Sequence, residues 1–239
     1  AVDNITFELS RGEILGIAGV EGNGQQELVE ALIGVRRVLN GKIFLNGKEI
    51  TRAKPVHRRR LGLAAIPGDR VKEGTAATAS VAENLITTTY RRFPYSFMGV
   101  FRERNIREFA RMTLEKFRII AEPTTITRTL SGGNLQRLVI ARELSTDPLV
   151  LIAVHPSRGL DVQSMVEVHR HLINLRNQGR AVLLISTDLD ELLALSDRLL
   201  VIFRGRIVGE VSPRATTLAE LGLLMLGGTI AQAHEGLSG

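Results

Sequence analysis

The chain has 239 residues, 44% of them hydrophobic, and a formal net charge of +6. It has no cysteine, which excludes a disulfide framework and any thiolate metal site, and no apolar run approaches the ~20 residues that a membrane-spanning helix needs. The net positive charge permits an anionic partner, and the richest basic run is His57-Arg58-Arg59-Arg60. Aromatic residues make up only 4% of the chain and do not alternate with the basic runs, so stacking surfaces for single-stranded nucleic acid are not expected. These runs are therefore expected on solvated or interfacial faces, and no nucleic-acid partner is expected.

Short apolar runs alternate with helical patterns along the chain, which is typical of a buried parallel sheet. Strands are predicted at residues 14–18, 149–153, 181–186 and 199–203, and helices at 25–33, 162–177 and 189–195. In the second of these helices Val162, Val166, His169 and Ile173 recur at helical spacing, so this face is expected to pack on the sheet. His169 is interpreted as a core or boundary histidine, not as a ligand.

The middle of the chain has a different pattern. Residues 76–136 contain no strong strand, residues 106–117 predict an amphipathic helix, and residues 85–100 are rich in turns and aromatic side chains. We interpret this stretch as a helical insertion into the α/β core. The tail at residues 230–239 has few apolar residues and is expected to fray.

A glycine-rich loop follows the first predicted strand and precedes a helix. Its frame matches G-x-x-x-x-G-K-[ST], in which backbone N–H groups and a helix N-terminus bind phosphate. The nucleotide-binding positions would be Gly19, Gly22, Asn23, Gly24, Gln25 and Gln26. Gln25 stands where the pattern has the phosphate-binding lysine, and Gln26 where it has the magnesium-binding hydroxyl. Alone the loop is a weak signal, because a turn that needs positive φ would look the same.

The strongest feature is the run Leu130-Ser131-Gly132-Gly133-Asn134-Leu135-Gln136-Arg137. It resembles the LSGGQ signature of ABC ATPases, in the LSGGN-x-Q-R form common in carbohydrate and nucleoside importers. A serine hydroxyl and glycine amides at a helix start suit a γ-phosphate. A serine-capped helix without function would give a similar run, but the other motifs also follow in family order. The signature positions are Leu130, Ser131, Gly132, Gly133, Asn134 and Gln136.

The resemblance covers about residues 2–227 and implies an α/β fold: a P-loop NTPase (RecA-like) parallel-sheet core with an inserted helical ABC subdomain. The implied limits are 1–75 and 138–227 for the core, 76–137 for the helical subdomain that carries the signature, and 228–239 for a frayed tail. The helical subdomain would contact membrane subunits, with Gly68 and Asp69 as its hinge region. Its basic residues Arg91, Arg92 and Arg102 would face coupling helices or lipid head groups.

The departures from the family pattern fall on catalytic positions. Val154 and His155 stand where the family has Asp-Glu, and Thr187 stands where it has the switch histidine. Gly68 likewise replaces the glutamine or glutamate of the Q-loop, whereas the D-loop run at 157–161 is retained with Gly159, Leu160 and Asp161. The degenerate positions implied in this chain's own site are Gln25, Gln26, Val154, His155 and Thr187. His155 could act as a base, but little would remain to hold Mg-ATP beside it.

ABC domains work as head-to-tail pairs, so the resemblance implies two composite ATP sites. One would join the degenerate loop, with weak ATP binding, to the partner's signature. The other would join this chain's signature to the partner's loop, where Mg²⁺ and hydrolysis are expected. The pattern resembles the second half of fused tandem ATPases of sugar and nucleoside importers, and the start at Ala1 without Met agrees with that reading.

The partners implied are a second ABC ATPase domain, fused upstream, and integral membrane permease subunits. The implied location is cytoplasmic, peripheral on the inner face of the cell membrane. Two alternatives stay open from the residues alone. One is a non-transport ABC-type ATPase acting on nucleic acid or ribosomes, which the LSGGN form disfavours. The other is a nucleotide-free structural module.

Overall fold

A computed structural model describes residues 2–228 of the chain. The strands are β1 (Ile14–Ala18), β2 (Phe44–Leu45), β3 (Lys48–Glu49), β4 (Leu63–Ile66), β5 (Ser96–Phe97), β6 (Val100–Phe101), β7 (Val150–Val154), β8 (Ala181–Ile185), β9 (Arg198–Phe203) and β10 (Arg206–Val211). The helices are α1 (Gln25–Ile33), α2 (Pro55–Arg60), α3 (Val81–Ile86), α4 (Glu103–Lys116), α5 (Gly132–Leu144), α6 (Val162–Asn177), α7 (Leu189–Leu195) and α8 (Leu218–Met225). A 3-10 turn spans Thr127–Thr129.

Six strands form the central sheet in the order β10-β9-β1-β8-β7-β4. β1 pairs in parallel with β8 and β9, and β7 pairs in parallel with β8, whereas β10 is antiparallel to β9. Every residue of β1 and β8 is buried, as expected of parallel strands covered on both faces. This agrees with the α/β parallel-sheet core predicted from the sequence.

Contacts group the chain into two compact units. One comprises the residues up to Ala65, Leu149–His155 and the residues from Arg170, and it contains β1, α1, β7 and β8. The other comprises Ile66–Pro148 and Pro156–His169, and it contains α3, α4 and α5. The sequence-based limits of 1–75 with 138–227, and of 76–137, stay a prediction. Of the predicted frayed tail, the residues after 228 lie outside the described residues.

Helix α1 begins and ends at glycines with left-handed backbone. Gly24 caps its start at φ 109°, and Gly34 follows its end at φ 86° and donates its N–H to Glu30 O. Positive φ costs glycine little, which explains its place at both ends. The first of these glycines is also the last glycine of the loop that leads into the helix.

Arg58 lies at the C-terminal end of α1 and is only 1% exposed. Its Nη1 donates to Ala31 O and Leu32 O, each at 2.6 Å, its Nη2 to Thr51 O at 2.9 Å and its Nε to Ala53 O at 3.0 Å. A cation at this end of a helix also meets the negative end of the helix dipole. Burial lowers the pKa of the guanidinium. The expectation that the whole run 57–60 is solvated or interfacial is therefore wrong for Arg58, because unsatisfied helix carbonyls bind it inside.

In the second unit, α3 is fixed at both ends by side chains. Ser80 Oγ accepts from Glu83 N at 3.2 Å while Glu83 Oε2 accepts from Ser80 N at 2.7 Å, a reciprocal cap whose hydrogen bonds lower the pKa of Glu83. The buried Asn84 donates through Nδ2 to Thr127 Oγ1 at 2.8 Å. Since Leu130 N donates to Thr127 O, α3 is tied to the turn that leads into α5.

The face of α6 that was expected to pack on the sheet is wrong. Val162 and Val166 of α6 are 72% and 47% exposed, and the buried row of this helix is instead Val168, Leu172 and Leu175. The 3.6-residue period allows both rows, and the row with leucine has more apolar area to bury. The stretch 76–136, for which no strong strand is predicted, contains two strands of two residues each, β5 and β6, which form a short hairpin whose turn at Met98 and Gly99 has positive φ.

Candidate functional site

Three segments predicted to form the nucleotide site meet at one edge of the sheet. The glycine loop follows β1, His155 follows β7, and Thr187 lies two residues beyond β8. β8 lies between β1 and β7 and is parallel to both, so the carboxyl ends of all three strands are neighbours. In open α/β sheets this edge is where ligands bind.

The glycines of the loop are required by its geometry. Gly22 and Gly24 have φ of 90° and 109°. A Cβ placed on Gly19 would lie 2.6 Å from Gln25 Nε2 and 2.6 Å from Ile202 Cγ2, closer than real Cβ contacts. The backbone at positions 19, 22 and 24 therefore accepts no larger residue without rearrangement.

Asn23 holds the loop against the β9–β10 turn. Its Oδ1 accepts from Arg204 N at 2.9 Å, and its carbonyl oxygen accepts from Gly205 N at 2.8 Å. Asn23 N donates to Val20 O at 3.2 Å, which closes the loop on itself. The loop is thus an ordered part of the first unit.

Gln25 and Gln26 supply neither a cation nor a hydroxyl. Gln25 Nε2 folds back over the loop and donates to Val20 O at 3.1 Å. Gln26 Nε2 donates to Glu30 Oε1 at 3.1 Å, one turn along α1. Both amides are thus engaged within the chain, and an amide carries no charge with which to attract phosphate.

His155 and Thr187 contact each other at the ends of β7 and β8. His155 has a left-handed backbone at φ 45°, its N–H donates to Ile185 O at 2.7 Å, and its Nδ1 accepts from Thr187 N at 3.3 Å. In neutral imidazole this arrangement assigns the proton to Nε2. The preceding Val154 is buried and apolar, and residues 2–228 contain no group of three or more His, Asp or Glu able to hold a metal.

The signature forms the start of α5 in the second unit. Ser131 is its N-cap, and Ser131 Oγ accepts from Asn134 N at 3.4 Å and from Asn134 Nδ2 at 3.1 Å. Asn134 Oδ1 accepts from Ile120 N at 3.2 Å. Ser131 and Gly132 are exposed and Leu130 is half-buried, so the start of α5 is accessible to solvent. This is the geometry of an anion-facing helix start.

The same unit brings the D-loop to the signature. Gln136 is 2% exposed and its Nε2 donates to Pro156 O at 2.7 Å. Asp161 accepts from Ser164 Oγ at 2.7 Å and from Ser164 N at 3.0 Å, and these hydrogen bonds lower the pKa of Asp161. A Cβ on Gly133 would lie 3.6 Å from Ser164 Oγ. Gly159 has φ 67° and Leu160 N donates to Ser157 O at 3.2 Å.

One contact residue was not singled out by the sequence. Arg70 Nη1 donates to Arg158 O at 2.6 Å, and its Nη2 would lie 3.0 Å from a Cβ on Gly132. In this segment the sequence pointed to a hinge at Gly68 and Asp69 and to a missing Q-loop residue at Gly68, but not to Arg70. An arginine two residues beyond that position is a possible signal, but sequence does not show which carbonyl an arginine reaches.

Comparison with known proteins agrees with these observations. The family model described as ABC transporter matches residues 2–157. The chain belongs to this family. Its ABC ATP-binding domain is 43% identical over 235 residues to the guanosine import ATP-binding protein NupO of Bacillus subtilis, covering 98% of this chain and 46% of that protein. It is 42% identical over 230 residues to the nucleoside import ATP-binding protein NupA of Lactococcus lactis, covering 96% of this chain and 46% of that one.

A third relative is the ribose import ATP-binding protein RbsA of Bacillus subtilis, 34% identical over 227 residues that cover 95% of this chain and 46% of RbsA. The chain thus spans less than half the length of these relatives. Among solved structures, a nucleotide-free ATP-binding cassette from an ABC transporter matches with TM-score 0.76 and 22% identity over 98% of this chain and 92% of that one. The predicted family and the P-loop NTPase fold class are confirmed.

The individual site residues stay predictions, because the comparisons address the family and the fold only. Within residues 2–228, the helices are all too short or too polar to cross a lipid bilayer. ATP, and Mg²⁺ with it, is the ligand of the family. The residues at positions 25, 26 and 154 do not fit a magnesium ion, because none of them carries a carboxylate or a hydroxyl.

Proposed function

We propose that this chain is the non-hydrolysing ATP-binding domain of an ABC importer of the nucleoside or sugar type, and that its signature completes the ATP site of a partner domain. The observation that carries the proposal is an asymmetry within one chain. The loop has lost its phosphate and magnesium side chains, whereas the signature retains an exposed serine cap.

The side chains at three positions of the chain's own site are engaged within the chain. Gln25 folds onto Val20 O, Gln26 pairs along α1, and His155 Nδ1 accepts a backbone N–H of Thr187. None of these groups offers the cation, the magnesium ligand or the water-polarising carboxylate that phosphoryl transfer needs. ATP would be held by the loop backbone and the start of α1 alone.

The groups that would complete the partner's site lie in the second unit. Ser131 and Gly132 at the start of α5 are exposed, and so are Arg158, Gly159 and Asp161 of the D-loop. In a head-to-tail pair these groups would face the γ-phosphate bound by the partner's loop, and donors fixed in advance stabilise developing charge. We propose that the partner is a second ABC ATPase domain, in the same longer chain, and that the pair works at the inner face of the cell membrane.

The β5–β6 hairpin supplies a contact surface for permease subunits in this proposal. Phe97 and Met98 are 62% and 89% exposed, and with Phe93, Val100 and Arg102 they line a shallow apolar groove. Arg102 Cζ lies 5.6 Å from the centre of the Phe93 ring. Exposed apolar patches rimmed by charge mark interaction sites in folded domains.

A substitution in the hairpin tests this surface. The pair Phe97→Ser and Met98→Ser should lower recovery of permease subunits with the ATPase by about tenfold, because roughly 1.4 kcal/mol of apolar contact is lost. The measurement is co-purification from membranes. Met112→Ser, at a side chain 66% exposed on α4, is the matched control and should leave recovery unchanged. Equal recovery with both variants would remove the hairpin from the interface.

Titration of the chain with ATP tests its own site. We expect weak binding with little dependence on magnesium, because losing one charge-assisted hydrogen bond of about 1.5–3 kcal/mol costs roughly one to two decades in affinity. Gln25→Lys should raise the affinity for ATP by about tenfold, and adding Gln26→Ser should make this binding depend on magnesium. Calorimetry measures both. Gln26→Ser alone is the control, and sub-micromolar, magnesium-dependent binding by the unchanged chain would contradict a degenerate site.

A further inference from the structure

The turn that follows β4 is built to hold one arginine in place. Asp69 Oδ1 accepts from Val71 N at 3.0 Å and from Lys72 N at 2.9 Å, and the Lys72 hydrogen bond is the main reason that the pKa of Asp69 is lowered. Asp69 O accepts from Glu73 N at 2.9 Å. Asp69 O also accepts from Gly74 N at 3.1 Å, so four hydrogen bonds to one aspartate fix the backbone on both sides of Arg70.

The far end of the turn is bonded to α5. Thr75 Oγ1 donates to Arg70 O at 3.1 Å, and a Cβ on Gly74 would lie 2.6 Å from that oxygen, so the chain folds tightly back on Arg70. Arg142 Nη1 donates to Gly74 O at 2.7 Å, while Arg142 Nε donates to Glu143 Oε1 at 2.8 Å. Because both side chains of that pair are buried, the turn has a firm anchor on the helix that carries the signature.

The side chain of Arg70 extends from this anchored turn to two other segments. Its Nη1 donates to Arg158 O in the D-loop at 2.6 Å. Its Nη2 would lie 3.0 Å from a Cβ on Gly132 and 3.5 Å from one on Gly159. One planar guanidinium thus lies against the first residue of α5 and against the D-loop glycine. At Gly132 a Cβ would crowd it, whereas at Gly159 a Cβ would lie at an ordinary contact distance.

We propose that Arg70 is a positioning residue that holds the D-loop in register with the signature. The inference rests on the proposed function, in which both segments face the partner's ATP. Arginine suits the position because its rigid fork can donate to Arg158 O with one nitrogen while the other stays against Gly132. Lysine keeps the charge but has a single ammonium, which cannot reach both places at once.

This register matters for turnover more than for binding. The signature and the D-loop belong to separate stretches of chain, and they meet the partner's nucleotide only when the two domains close. A displacement of about 1 Å between groups that must act together can cost about 100-fold in rate. Substrate would still bind to the partner's intact loop, so KM would change little.

The kinetic experiment uses the assembled transporter. Arg70→Lys and Arg70→Ala should each lower kcat for ATP hydrolysis by about tenfold or more and leave KM within about twofold. Arg107→Lys is the matched control. Arg107 pairs with Glu103 at 2.7 Å on the exposed face of α4, where lysine can keep the pair. Full kcat in both Arg70 variants would overturn the proposal. A loss of kcat in Arg70→Ala but not in Arg70→Lys would also overturn it, because a positive charge at position 70 would then be sufficient for turnover.

Hydrogen exchange in the 239-residue chain tests the geometry without ATP. The Leu160 amide, bonded to Ser157 O at 3.2 Å, should exchange about fivefold faster in both Arg70 variants while the thermal midpoint stays within about 2 °C. Unchanged exchange would overturn the proposal even if turnover fell. Faster exchange with reduced kcat supports it. The two proposals can fail separately. If Ser131→Arg leaves transport intact while the Arg70 variants still speed exchange of the Leu160 amide, the composite-site function is refuted and the contact of Arg70 with the D-loop is supported.

Discussion

In the assembled transporter, Ser131→Arg should lower ATP hydrolysis and uptake by about 100-fold or more, whereas Gln25→Ala should change both by less than about twofold. Removing one preorganised donor from a site of developing charge typically costs about 100- to 1,000-fold in kcat. An arginine at position 131 removes the hydroxyl and also fills the exposed start of α5. Gln25 has only its hydrogen bond to Val20 O to lose.

The comparison needs matched assembly, because Ser131 also caps α5. Losing such a cap costs about 1 kcal/mol, so Ser131→Ala serves as a control for the fold: it removes the hydroxyl and leaves the space open. Immunoblots of purified transporter and thermal unfolding of the isolated chain would establish equal assembly. Similar damage from the changes at 131 and 25 would show that the chain's own loop turns over ATP. Normal transport with Ser131→Arg would refute the composite site.

Replacing Arg58 by methionine should lower the free energy of unfolding by about 3 kcal/mol. The substitution keeps an apolar stem of similar length but leaves four backbone carbonyls without their donor, and a hydrogen bond to a charged group is worth about 1.5–3 kcal/mol. The losses do not add, since the last carbonyls of α1 can recruit water. Urea unfolding followed by circular dichroism measures the change, which corresponds to a midpoint about 6–12 °C lower.

Arg60→Met is the control for this experiment. Arg60 lies on the same short helix and is exposed, so its replacement should change stability by less than about 0.5 kcal/mol. Arg58→Lys should fall between the two, because an ammonium has three donors and cannot span carbonyls that lie in several directions. Equal effects at 58 and 60 would mean that the buried guanidinium adds nothing net to stability.

Much of the core could be predicted because its signals are local. Helices α1, α6 and α7 have the predicted limits, since caps and apolar spacing mark their ends. β1 matches as well, and β7 differs by one residue at each end. Buried parallel strands form continuous apolar runs, and such runs are easy to find in a sequence.

The parts that failed depend on contacts between distant residues. Arg58 belongs to a basic run with the composition of a solvated face. Only the position of α1 in the fold shows that Arg58 can donate to the last carbonyls of that helix. The exposed Val162 and Val166 share a helical period with buried neighbours, so periodicity alone could not choose the face. Arg70 reaches a carbonyl 88 positions away, a distance over which local pattern carries no information.

In the proposed function, the glycine loop keeps its backbone frame although the side chains that serve ATP hydrolysis have been replaced. Gly19 is fixed by the lack of room beside Ile202, and Gly22 and Gly24 by their positive φ, so these requirements arise from folding and apply whether or not ATP ever binds. Positions 25, 26 and 154 carry no such constraint from the backbone. Substitutions at these positions can therefore remove the groups that act on ATP while the glycine pattern of the loop is retained. A search based on glycine spacing alone would match this loop to the P-loop pattern, whereas the two residues after the last glycine depart from that pattern.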